Sequence, residues 1–143
     1  MTSAEGMFAA SPEQVRAWQR RAAEPEAAHA YWSELALTLK EPADPALLAR
    51  RLDALVAREE IVRTELEALA GLSEPVQRVC AAPPATCLQR EVVTASAGGA
   101  LFSGTLPAGA PALQVALAGD RTLVLRAPSS HLDGPSLRRI ARE

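Results

Sequence analysis

Two cap-and-proline pairs, Ser11-Pro12 and Asp44-Pro45, constrain this chain more than any other feature of it. A short polar side chain at the N-cap satisfies a free helix amide, and proline at the next position loses no hydrogen bond. Gln14 follows Ser11 at the third helical position, completing a reciprocal capping pattern. Val15, Trp18 and Ala22 then recur at spacings of three and four, which predicts one buried stripe. Glu24-Pro25-Glu26 ends or interrupts that helix. After the second pair, Leu47, Leu48, Leu52, Leu55 and Val56 fall on one helical face, and Arg50, Arg51, Asp53 and Arg58 on the other.

Between these helices Leu35, Leu37 and Leu39 alternate with Ala36, Thr38 and Lys40, the period of a half-buried strand. Beyond Glu60 the pattern turns to strands: Ile61 to Leu66, Val76 to Cys80, Leu88 to Thr94, Leu113 to Leu117 and Thr122 to Leu125. Gly119-Asp120 reads as a hairpin turn, while Pro83-Pro84 and Gly98-Gly99 mark loops. Asp133-Gly134 leads into a short amphipathic piece, Pro135 to Glu143, with Leu137 and Ile140 facing inward. So short a helix needs something to pack on. The order implies an α+β fold, a mixed sheet with helices on one side. Residues 1–10 read as an N-terminal tail and 11–143 as a single domain.

Composition removes several classes. With 48% hydrophobic residues a packed core is expected, and with 3% aromatics it must rest on Leu, Val and Ala. A net charge of −2 gives no basic field for a nucleic-acid backbone. The apolar runs fall short of a membrane span, and the start lacks a secretory signal pattern. Cys80 and Cys87 lack metal-site spacing and read as two ordinary thiols of a cytoplasmic protein. His29, beside Tyr31 and Trp32, suggests a surface or loop residue.

Three stretches resemble, in order, the first three motifs of nonribosomal peptide synthetase condensation domains. Ser11-x-x-Gln14-x-Arg16-x-Trp18 is similar to the family's opening helix signature. Arg58-Glu59-Glu60-Ile61-Val62-Arg63-Thr64-x-Leu66 resembles Arg-His-Glu-x-Leu-Arg-Thr-x-Phe, with Glu59 and Leu66 as departures. Asp133-Gly134-Pro135-Ser136 resembles the end of His-His-x-x-x-Asp-Gly and the Trp-Ser after it. The resemblance implies the N-terminal lobe of a chloramphenicol acetyltransferase-like fold. In the family two such lobes form a V, and carrier proteins bring phosphopantetheine arms to the second histidine from opposite faces. That histidine would position or deprotonate the acceptor amine.

Counting back from Asp133 puts Pro128 and Ser129 at the two histidine positions. A serine hydroxyl is no general base at neutral pH. His131 lies two residues before Asp133, displaced from the catalytic position, and is a loop histidine or a displaced base. The family's aspartate is structural and pairs with an arginine, which makes Arg63 the expected buried partner of Asp133. One lobe cannot form a tunnel between two, so Ser129→His in this chain alone is not expected to restore condensation. A lone lobe is also expected to leave its sheet and the helix around Leu137 and Ile140 partly bare, as an interface for another domain or, by self-association through the face of the missing lobe, for a copy of itself.

Three readings follow. One is a non-catalytic, truncated condensation-like domain that serves as a structural or docking platform for adenylation or carrier domains, with phosphopantetheine presented by the carrier. The second is half of an active amide-forming enzyme completed by another lobe. The third is an unrelated α+β binding module.

Overall fold

In the computed structural model, residues 6–24, 31–81, 88–89 and 112–143 are described. His29, Cys87, Pro83-Pro84, Gly98-Gly99 and most of the strand expected over Leu88 to Thr94 lie outside them.

The first helix, α1 (Pro12–Ala23), starts as its sequence demands. Gln14 N–H donates to Ser11 Oγ at 3.2 Å, and Ser11 N–H donates to Gln14 Oε1 at 2.8 Å. Gln14 is itself buried, and its amide nitrogen reaches Gln77 Oε1 at 3.0 Å. Gln77 in turn donates to the Ala9 carbonyl at 2.9 Å. One side chain therefore caps the helix and ties it to a sheet. That sheet contains β1 (Met7–Ala9), β4 (Val76–Val79) and β3 (Thr64–Glu67), all antiparallel, in the order β1-β4-β3. The expected N-terminal tail is thus partly strand, because Met7, Phe8 and Ala9 pair with Arg78, Gln77 and Val76.

The second sheet has the order β2-β7-β6-β5, from β2 (Trp32–Thr38), β5 (Leu88–Gln89), β6 (Gln114–Ala118) and β7 (Thr122–Pro128). β2 and β7 pair along their full length, from Trp32 opposite Pro128 to Thr38 opposite Thr122. β6 and β7 form the expected hairpin, in which Gly119 adopts a positive φ of 65° open to a residue without Cβ. β5 runs parallel to β6, so this sheet is mixed. Among the described residues two sheets stand where one was expected.

Register puts Leu35, Leu125 and Val115 in one row and Leu37, Leu123 and Leu117 in the next. Successive side chains on a strand face opposite ways, so both rows share a face. Against that face pack α2 (Pro45–Arg58), through Leu52, Leu55 and Val56, and α3 (Gly134–Ile140), through Leu137 and Ile140. Leu137 is fully buried and Ile140 is 4% exposed, so the end of the chain is not the bare interface expected of it. The seven residues of α3 are held by this packing, since a helix of two turns has little stability of its own. Leu47, expected on the buried face of α2, is 43% exposed because the sheet takes the face defined by Leu52, Leu55 and Val56.

Between α2 and β3 the expected strand from Ile61 begins instead with a 3₁₀ turn, Glu60–Arg63. Local bonds favour the turn: Val62 N–H donates to the Glu59 carbonyl at 3.2 Å, and Thr64 Oγ1 donates to the Glu60 carbonyl at 2.8 Å. The turn swings the buried Arg63 side chain back under the end of α2. There Nε donates to Val56 O at 2.9 Å, Nη1 to Cys80 O at 2.7 Å and Nη2 to Ala57 O at 3.4 Å. Two of these acceptors are late carbonyls of the helix, which also carry the negative end of its dipole. The third lies just beyond β4.

Arg63→Met leaves buried carbonyls without a donor and should cost about 2–3 kcal/mol in chemical denaturation. Arg63→Lys should recover little of that, because a single ammonium cannot reproduce a planar fork with donors in two directions. Full recovery in the lysine variant would show that charge alone matters.

Candidate functional site

The candidate site is the reversal between β7 and α3, residues 128–134. β7 ends at Pro128, which is buried and lies opposite Trp32 at the head of β2. The Pro128 carbonyl accepts from His131 N–H at 2.9 Å and Leu132 N–H at 3.1 Å, which folds the chain back on itself. Leu132 drops into the core as an anchor. Ser129 is exposed; its N–H donates to the Tyr31 carbonyl at 2.8 Å, and its Oγ lies 3.3 Å from Ser33 Oγ on β2. Two hydroxyls in contact can order each other but neither can take up a proton at neutral pH.

His131 points a different way. Its Nε2 lies 2.7 Å from the Thr64 carbonyl, and its Nδ1 lies 2.8 Å from Ser130 Oγ. A carbonyl oxygen only accepts, so Nε2 carries the proton, and in the neutral ring Nδ1 accepts from the Ser130 hydroxyl. Burial pushes the His131 pKa below its ordinary value, the Thr64 bond opposes that shift, and the Arg21 guanidinium of α1 adds to it. The neutral ring is therefore the resident form, and it links the turn to the first residue of β3.

Asp133 does not pair with Arg63, whose donors go to the three carbonyls already named. It is exposed and serves as N-cap of α3, its Oδ1 accepting from Ser136 N–H at 2.8 Å. Hydrogen bonding from the Ser136 side chain, and then from its backbone N–H, holds the Asp133 carboxyl below the usual range, with a smaller contribution from Arg138. The expected buried ion pair is thereby corrected. The cap is the better use of the residue, because the turn delivers Asp133 to a helix start rather than to the core. Gly134 opens α3, where an added Cβ would lie 3.6 Å from the Arg138 side chain, an ordinary contact.

The other motif residues spread over the surface. Arg16 pairs with Glu13 at 3.0 Å and is exposed, while Trp18 is half-buried on α1. Arg58 pairs with Glu59 at 3.2 Å and with the Glu143 side chain. Glu59, standing where the resemblance expects histidine, also lies 3.7 Å from Arg139 of α3. Such exposed pairs contribute little to stability. Sequence reading gave no role to Ser130, Ser33 or Gln77, since each acts through a partner distant in sequence or through a neighbour turned by the fold.

A cavity of about 480 Å³ lies between α2, α3 and the sheet, lined by Leu48, Leu52, Leu123, Leu125 and Ile140 among others. None of residues 128–134 lines it. Among the described residues no cluster of three His, Cys, Asp or Glu side chains could hold a metal ion, and no helix is long and apolar enough to cross a membrane.

The lowered His131 pKa fixes a pH dependence. The unfolded chain takes up a proton near pH 6.5 while the folded one stays neutral, so stability is complete above that pH. It should decline as pH falls from about 6.5 toward the lower folded value. Denaturation midpoints from pH 7.5 to 5 should show this slope in the parent chain and not in His131→Gln. An equal slope in both would place the linkage elsewhere.

No family model and no curated protein matches the chain. Solved structures do. The starter condensation domain of the rhizomide synthetase superimposes with a TM-score of 0.76 at 17% identity, over 95% of this chain and 35% of that one. The first condensation domain of the calcium-dependent antibiotic synthetase gives 0.70 at 20%, over 96% and 35%. The condensation domain of the monacolin K polyketide synthase gives 0.66 at 21%, over 96% and 33%. This chain thus spans about a third of the length of the domains it matches. The described residues share the fold of a condensation domain over that third.

Proposed function

We propose that this chain is a condensation-type lobe without the amide-forming base, and that it works as a docking platform in a peptide-synthetase assembly line. The observation that carries this reading is the exposed Ser129 at the end of β7, at the position matched to the family's second histidine. Its hydroxyl is in contact with Ser33. The nearby imidazole of His131 directs its lone pair to Ser130 instead. The turn keeps its form, with an anchored Leu132 and a capped α3, while the proton acceptor has left the expected place. The partners that suit such a lobe are adenylation or carrier domains of the same synthetase, the carrier presenting its phosphopantetheine.

A second reading rests on coverage. Since the chain spans a third of each matched domain, an acyltransferase completed by a second lobe elsewhere would use the same surfaces. Adding that lobe in trans and assaying amide formation separates the two: the platform reading expects none.

Docking itself is open to calorimetry with each purified carrier and adenylation domain encoded beside this chain. At least one should bind with a Kd in the micromolar range or tighter. Failure of all of them to bind would overturn the platform.

A further inference from the structure

Ser130, His131 and the Thr64 carbonyl form a line of groups that neither docking nor amide formation uses. The hydroxyl sits 2.8 Å from Nδ1, and Nε2 sits 2.7 Å from the carbonyl. Because the carbonyl can only accept, the ring is fixed with its lone pair on the serine side. That is the arrangement of an activated nucleophile: hydroxyl, base, and a third group that orients the base. Ser130 is half-exposed, so a small reagent can reach it.

We propose that Ser130 is an acyl-accepting nucleophile, with His131 as its general base and the Thr64 carbonyl as the orienting group, acting on small activated acyl esters or thioesters. Ser130 Oγ attacks the acyl carbon while its proton passes to His131 Nδ1. The tetrahedral intermediate then expels the alkoxide or thiolate, which takes that proton from the imidazolium. The products are an acyl ester on Ser130 and a free alcohol or thiol, and the ring is neutral again. Water attacking the ester by the same route releases the carboxylic acid. The proposal does not rest on docking, so partner binding and acylation succeed or fail separately.

The test uses the full chain and p-nitrophenyl acetate, read by p-nitrophenolate release and by peptide mass spectrometry. The parent should acquire an acetyl group on Ser130. Ser130→Ala should lose that adduct, and Ser136→Ala, one turn into α3, should retain it. His131→Gln should slow acylation by on the order of 100-fold or more, the usual worth of a positioned base. Ser130→Cys should keep a reactive nucleophile, detected by iodoacetamide labelling faster than at Cys80 or Cys87. Melting curves of every variant confirm that the fold persists. An unacylated parent, an adduct on another residue, or an undiminished rate in folded His131→Gln would each overturn the proposal.

Discussion

The Arg63 guanidinium is the joint on which the remainder of the structure is hung. It gathers carbonyls from the end of α2 and from the residue beyond β4, so the helix of one layer and the strand of the other meet on one planar group. The backbone of the same segment continues the join. Arg63 O accepts from Cys80 N–H at 2.9 Å, and Val62 O accepts from Ala112 N–H at 2.6 Å just before β6. The next carbonyl, that of Thr64, receives His131. Three consecutive residues thus bind α2, both sheets and the turn at Pro128. A buried arginine without a carboxylate partner here is no anomaly, because its donors are matched by carbonyls that would otherwise be unsatisfied.

This joint explains why the second and third motifs are brought together, and by what. The resemblance to condensation domains pointed to an ion pair between Arg63 and Asp133, two charged residues in separate motifs. The contact is made instead by a backbone carbonyl and an imidazole one residue and two residues away. Arg63 is occupied by helix carbonyls and Asp133 by the first turn of α3. Each charge finds the nearest backbone groups of opposite polarity, which costs less ordering than meeting across the core.

Much of the fold was legible because its signals are local. Ser11, Gln14 and Asp44 cap the helices that their spacing announced, and Gly119 makes the hairpin between two alternating strands. What was not legible depends on contacts between distant segments. Met7 to Ala9 is too short to read as a strand until β4 is placed beside it. The stretch from Ile61 has strand-like composition, yet Arg63 must turn back to α2, so the backbone coils first. At the site, a serine at position 129, where the resemblance expects histidine, was plain from the sequence. The partners of His131 were not, because a ring's tautomer is set by the groups that fold places around it. Leu137 and Ile140 likewise looked like an interface only while the sheet they cover was unplaced.

One carbonyl of the joint fixes the His131 ring, and nitrogen NMR of that ring is the decisive experiment. With histidine labelled and the spectrum taken near pH 7.5, the ring should be one neutral tautomer, protonated at Nε2, with a bound proton slow to exchange. Arg63→Met, if folded, should broaden or average the ring signals as the Thr64 carbonyl loses its place. A parent ring protonated at Nδ1, or one averaging freely between tautomers, would show that the Thr64 carbonyl does not hold it.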